Sequence, residues 1–343
     1  MKLYLLLFTL LFNSRVLHAV ELESEAKIFN YVNSNNIRVE NIYYITAIPH
    51  QILSDQNQEL FSSINPFEPF NHIHHIAKVN NQLIYDQTYE TAELGLRTIS
   101  SDQYNPNANK HLIIAGDSNT FGIGVKQEET LPVLLSKKMT DYHPYNFGIR
   151  GGGPHNTLAM LEFMPWKNLI NEPAGIFIYN YYDFLIDRVI GSKDYLDWMK
   201  GNAPYYQLNS SDEVEYAGNF GDLIISKIFM VISSVKWLNS LFPVLPRHRY
   251  QHSILLGKVF LKMQSEYKSK FPDGKFIVAI NYIFDELVPN RLKELEEELK
   301  LNHIKFIIIP KQMQNIQIRY PEENHLNVNG HKTEAELFLK NLP

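Results

Sequence analysis

From His111 onward the polar and apolar positions settle into a repeating rhythm of short apolar run, then amphipathic stretch. "HLIIAG" (His111 to Gly116) is an apolar run closed by glycine, the pattern of a strand buried on both faces of a parallel sheet. "TLPVLLSKKMT" has helical spacing, with Pro132 tolerated in the first turn. "YNFGI", "AGIFIYNY", "KFIVAINYI" and "IKFIIIP" read as further strands. Between and after them, "NTLAMLEFMPWKNLI", "HSILLGKVFLKMQSEYKSKF", "PNRLKELEEELKLN" and "GHKTEAELFLKNL" read as helices. Strands alternating with helices predict a three-layer α/β/α sandwich on a mainly five-stranded parallel sheet.

Two regions depart from that rhythm. Residues 20–105 are irregular, with short alternating runs such as "QLIYDQTY" and one stretch, "SEAKIFNYVNSN", that is expected to be a helix. The polar, turn-rich "SSDQYNPNANK" links this N-terminal extension to the α/β domain of residues 106–343. Residues of about 187–245 interrupt the alternation and are rich in Tyr, Trp and Asp. They form either a substrate wall or lid, or an insertion packed on the core. Lys227 and Lys236 break the apolar run within it, so it is not a membrane span.

The N-terminus begins Met1-Lys2, continues "LYLLLFTLLF" and reaches a small residue at Ala19. This fits a secretory signal peptide over residues 1–19, and an apolar run of ten is too short for a comfortable span. The chain of 343 residues has no cysteine, which excludes thiolate metal sites, cysteine nucleophiles and disulfides. Export without disulfides points to a bacterial periplasmic or secreted protein. A net charge of -5 gives no footprint for nucleic acid. The membrane is expected to be touched only through an uncleaved anchor.

Ser118 follows the first parallel strand, where open α/β sheets bind ligands. Alone it reads rather as a helix-capping or turn serine than as a nucleophile. "PEENHLNVNGH" alters that reading, because a carboxylate and an imidazole on one loop can activate a serine hydroxyl. Glu322, three residues before His325, is the expected carboxylate, with Glu323 its rival. "RGGGP" matches no phosphate-loop pattern.

These blocks together resemble the SGNH or GDSL hydrolases, serine esterases on a flavodoxin-like sheet. "GDSNTFG" is similar to the family's GDS start, with Asn119 in place of the usual Leu. "NFGIRGGGPHNT" is similar to its N-x-G-x-x-G turn and "ENHLNVNGH" to its D-x-x-H-x-N-x-x-G-H ending. The resemblance implies Ser118 as nucleophile, His325 as base, and the N–H groups of Ser118 and Gly151 as oxyanion donors. The family's G-x-N-D block is replaced by "YNYYD". Asn180 is the expected oxyanion side chain there, Tyr182 its rival, and backbone donors alone the third alternative. The implied reaction is hydrolysis of a small-molecule or glycan acyl ester without cofactor or metal. Acyl transfer on envelope polysaccharide with the same triad, and a non-catalytic glycan-binding relative, are the alternatives.

Other residues have plainer readings. His72, His74 and His75 lack carboxylates at metal-ligand spacing. His155 lines the site or starts a helix, and His331 packs at the last helix. Asp183 and Asp187 lie four apart, and Arg188 is placed to meet an acidic substrate group.

Overall fold

In a computed structural model, residues 25–32, 37–46, 72–92, 95–283, 289–311 and 317–342 are described, and the expected signal peptide lies outside them. The apolar runs of the carboxyl half become β5 (Lys110–Gly116), β6 (Tyr142–Gly148), β7 (Gly175–Tyr182), β10 (Lys275–Asn281) and β11 (Phe306–Ile309). They follow four N-terminal strands, β1 (Glu25–Val32), β2 (Arg38–Thr46), β3 (His72–Val79) and β4 (Gln82–Glu90), and are interrupted by a hairpin, β8 (Pro204–Leu208) and β9 (Val214–Asn219). The five carboxyl-half strands form one parallel sheet in the order β11-β10-β7-β5-β6.

The helices in chain order are α1 (Ser118–Phe121), α2 (Leu131–Ser136), α3 (Pro154–Phe163), α4 (Trp166–Leu169), α5 (Leu185–Val189) and α6 (Lys193–Met199). They continue as α7 (Ile224–Ser234), α8 (Lys236–Leu241), α9 (Tyr250–Lys270), α10 (Pro289–Leu301) and α11 (Val328–Asn341). Strand side chains alternate between two cores, as a period of two requires. Ile113, Phe177, Val278 and Ile280 face α3, α9 and α10. Leu112, Ile114, Ile178 and Ile277 face Leu131 and Leu135 of α2 and Phe338 of α11. Helices therefore cover both faces, giving the α/β/α sandwich, and the carboxyl ends of β5, β6 and β7 open on the Ser118 side.

Three stretches differ from expectation. "SEAKIFNYVNSN" is not helical: Glu25–Val32 is an extended strand paired antiparallel with β2 along its full length. Its Ile, Phe, Tyr and Val favour a pleated ladder once a partner strand is present, and that tertiary pairing overrides local preference. "NTLAMLEFMPWKNLI" is two helices, because Pro165 has no N–H and turns Met164 out of the helical region (φ -85°, ψ 151°). The N-terminal extension is a four-stranded antiparallel sheet, β1-β2-β3-β4. Ile73, Ala77, Tyr85 and Tyr89 of this sheet pack on Phe121 and Ile123, directly after Ser118.

Candidate active site

Ser118 is the first residue of α1, and its position is fixed by both neighbours. Asp117, fully buried, caps the helix by accepting from the Asn119 N–H at 3.0 Å. Gly122 ends the helix in the left-handed region at φ 85°, where a side chain would also strike Thr130 and Arg97. The buried Arg97 guanidinium closes that end, donating to the carbonyls of Phe121 (3.0 Å), Gly122 (2.7 Å) and Val125 (2.9 Å). A cation there complements the carbonyl end of the helix.

His325 comes from the other side, on the loop between β11 and α11. Its Nε2 lies 2.9 Å from Ser118 Oγ. Its Nδ1 lies 2.5 Å from Glu323 Oε1, and its backbone N–H donates to Glu323 Oε2 at 3.2 Å. The carboxylate facing His325 is thus Glu323, and the expectation for Glu322 is corrected. The reason is local: Tyr320 N–H donates to His325 O at 2.9 Å, closing a tight turn. At its tip Glu322 is exposed with φ 61°, while Glu323 points inward, 9% exposed. In a turn closed by the residues on either side, i and i+2 share a side, whereas the three-residue spacing suits a helix.

Several contacts hold the loop against the serine. Leu326 N–H donates to Asn119 Oδ1 at 3.1 Å, so Asn119 ties the two halves of the site together. Asn327 caps α11 through Gly330 N–H and donates to the carbonyls of Gln317 and Arg319. A Cβ on Gly330 would come within 2.2 Å of Ile318 O.

Burial alone lowers the His325 pKa, but the charge and hydrogen bond of Glu323 outweigh it and the net shift is upward. The charged form of the imidazole is therefore favoured. The glycine loop lies alongside: Ile149 N–H donates to Gly116 O at 2.9 Å, and Gly148 packs on the Phe121 backbone. Gly151 has φ 72°, a left-handed conformation that turns its peptide as few side-chain-bearing residues allow. Arg188 braces this loop by donating to Gly152 O at 2.5 Å, with Asp117 Oδ2 3.9 Å away.

The side chains of Asn180 and Tyr182, the expected oxyanion donor and its rival, are engaged in a buried network with Glu334. Asn180 Nδ2 donates to Glu334 Oε1 (3.0 Å) and to Tyr182 Oη (3.0 Å), and Tyr182 Oη–H donates to Glu334 Oε1 (2.6 Å). Asn281 completes this buried network, donating to the same Glu334 oxygen at 2.6 Å. On β7 the even-numbered residues face α11, so both side chains are drawn to its glutamate.

The structure also holds a residue that the sequence reading did not single out. Tyr85, on β4, donates its hydroxyl to Glu323 Oε1 at 2.9 Å, with His75 Nε2 3.4 Å from the same hydroxyl. Only alternation along "QLIYDQTY", which turns Tyr85 and Tyr89 to one buried face, carried a signal of it.

The remaining candidates have other partners. His74 meets Asp86 at 2.5 Å, and His75 meets Asn41 at 2.9 Å. Among the described residues no three His, Asp or Glu side chains gather as a metal site. His155, 3.0 Å from Tyr195 Oη, is pushed down to about 3, first by burial and then by Arg188. His331 is buried at the start of α11 and likewise held neutral. Asp183 and Asp187 both face Arg291, at 3.9 and 3.3 Å.

No family profile matches the chain, and no curated protein does. Solved structures resemble it distantly. The acetyl xylan esterase Est2A of the rumen bacterium Butyrivibrio proteoclasticus shares 11% identity over 77% of this chain and 80% of its own, with TM-score 0.38. A family two carbohydrate esterase from Cellvibrio japonicus shares 10% over 92% and 95%, with TM-score 0.35. A carbohydrate esterase family 2 enzyme of Corynascus thermopiles shares 11% over 78% and 74%, with TM-score 0.36.

Proposed function

We propose that the protein is an exported serine hydrolase of esterase or deacetylase type, cleaving a small-molecule or glycan acyl ester through an acyl-enzyme on Ser118. The observation that carries this is the 2.9 Å approach of His325 Nε2 to Ser118 Oγ, with Glu323 behind the ring. A serine hydroxyl is a weak nucleophile without a base, and a base at hydrogen-bond distance held by a carboxylate supplies the missing activation.

In the first half-reaction Ser118 Oγ bonds to the ester carbonyl carbon while its proton passes to His325 Nε2. The charge on the imidazolium is balanced by Glu323. The negative charge on the carbonyl oxygen is met by the N–H groups of Ser118 and Gly151. Each such donor is worth about 2.7–4 kcal/mol in the transition state. His325 then returns the proton to the leaving alcohol. Water, deprotonated by the same nitrogen, attacks the acyl carbon; the bond to Ser118 Oγ breaks, the acid leaves, and His325 returns the proton to Ser118 Oγ. With Asn180 and Tyr182 bound to Glu334, the backbone donors are the oxyanion hole of this reading.

Labelling with a phosphonofluoridate tests it. The expected outcome is a single adduct on Ser118, absent in Ser118→Ala, together with release of acetate from acetyl esters by the unlabelled protein. A protein that neither labels nor hydrolyses any acyl ester is the non-catalytic relative instead.

A further inference from the structure

The segment that interrupts the strand–helix alternation leaves an apolar face without a partner. α7 lays Phe229 and Met230 against Leu196, Met199 and Phe220, and so is fixed on the body of the protein. Its other face turns Ile224, Ile228 and Val231 outward, and α8 and the turn after it add Trp237, Leu241 and Phe242. Ile224 is 77% exposed and Trp237 65%. Eight of the fourteen large apolar side chains exposed among the described residues lie between positions 224 and 244. Contiguous exposure of this kind marks a docking surface rather than a scatter of solvated side chains.

The charge around that face says what covers it. From Leu223 to Arg249 the chain carries Lys227, Lys236, Arg247 and Arg249 and no Asp or Glu, within a protein whose net charge is -5. None of these four cations forms an ion pair among the described residues. Beside the apolar face lies a cavity of about 430 Å³, lined by Phe229, Leu245, Pro246, Arg247, Arg249 and His252. An isologous contact with a second copy would bring the same unpaired cations together. An anionic surface meets them instead. A helix with aromatic and aliphatic residues on one face and lysines at its border lies in the plane of a membrane interface. Guanidinium groups lining an adjoining cavity suit a phosphate headgroup. No helix among the described residues is long and apolar enough to cross a membrane.

We propose that the α7–α8 face, with the cavity lined by Arg247 and Arg249, docks the protein on an anionic phospholipid bilayer. This contact is independent of the N-terminal apolar segment and of the chemistry at Ser118. Trp237 sits in the face and reports on it directly, whatever else in the chain touches lipid.

The experiment adds the full-length protein, at low salt, to vesicles of phosphatidylcholine alone or mixed with phosphatidylglycerol, with brominated acyl chains in parallel. The anionic vesicles are expected to shift tryptophan emission to the blue and the brominated ones to quench it. Trp237→Phe abolishes most of that response while leaving thermal unfolding unchanged. Lys227→Gln with Lys236→Gln weakens partitioning about fivefold per cation removed, as expected for charges near an anionic surface. Trp237 emission that no bromolipid quenches overturns the proposal. So does quenching equal on neutral and anionic vesicles. A dimer that forms without lipid and is lost in Trp237→Phe assigns the face to a second copy and overturns it as well.

Discussion

Two buried glutamates stand near the carboxyl end of the sheet, and each receives a tyrosine hydroxyl. Glu323 receives Tyr85 at 2.9 Å, and Glu334 receives Tyr182 at 2.6 Å. Their remaining partners separate them. Glu323 faces an imidazole whose far nitrogen meets a serine hydroxyl, so its network runs outward to the atom proposed to react. Glu334 meets only the amides of Asn180 and Asn281, and its network closes on itself. Burial pushes its pKa up to about 7 against those hydrogen bonds, with Asp117 adding to the rise. The same pair of residue types therefore backs the proposed base in one place and closes a packed network in the other. The third partner decides the difference, and the end of β7, through Asn180 and Tyr182, serves the second network.

The largest effect that can break this comparison is at Ser118. Ser118→Ala is expected to lower kcat by about 10⁶, to the level left by binding and backbone donors, in a single-turnover ester assay. Glu323→Gln comes next, at about 10⁴ in kcat, because the wrong hydrogen-bonding pattern faces the ring. Glu322→Gln, on the exposed tip, leaves kcat unchanged; equal losses in both variants would undo the assignment of the loop. The pH profile sharpens the distinction. With His325 raised above 6.5 by Glu323, kcat/KM falls as pH drops through a midpoint above that value. Glu323→Gln removes the opposing charge, so burial then moves the midpoint below 6.5.

How much of this was legible in the sequence follows from how local each determinant is. The parallel strands were plain, because apolar runs such as "HLIIAG" and "KFIVAIN" are buried on both faces whatever their neighbours. Ser118 and His325 were legible because short blocks fix them at strand and loop ends. Glu323 was not separable from Glu322, since one peptide's turn geometry (φ 61° at Glu322) decides which carboxylate points inward. β1 was misread because its conformation is set by pairing with β2, a contact outside its own window. Tyr85 was invisible for the same reason at longer range: it lies 238 residues from Glu323. The aromatic insertion was visible as an anomaly, but which of its residues face outward needed α6 to be in place.

Tyr85→Phe probes the tyrosine of the network in which chemistry is expected, the one that ends at Glu323. Loss of a hydroxyl that positions a catalytic partner typically costs 10–100-fold, and the lower end, about tenfold in kcat with KM unchanged, is expected here. A merely structural role would instead lower thermal stability and leave the pH midpoint of kcat/KM in place. A positioning role moves that midpoint, because Glu323 then holds His325 less well.

The smallest effect on activity, and the one that tests the closed network, is at Glu334. Its folded pKa of about 7 lies above the unfolded value of 4.5, so the folded state binds the proton more tightly. The stability this contributes is full below pH 4.5 and is lost as pH rises through 7, a swing of about 3 kcal/mol at most. Glu334→Gln has no proton to lose. Its unfolding free energy, measured by urea titration from pH 5 to 8, is therefore flatter than that of the unmodified protein, while activity at the optimum is retained. A slope that survives in Glu334→Gln would place the titrating group elsewhere, and would leave Glu334 ionised among its amides, no different in kind from Glu323.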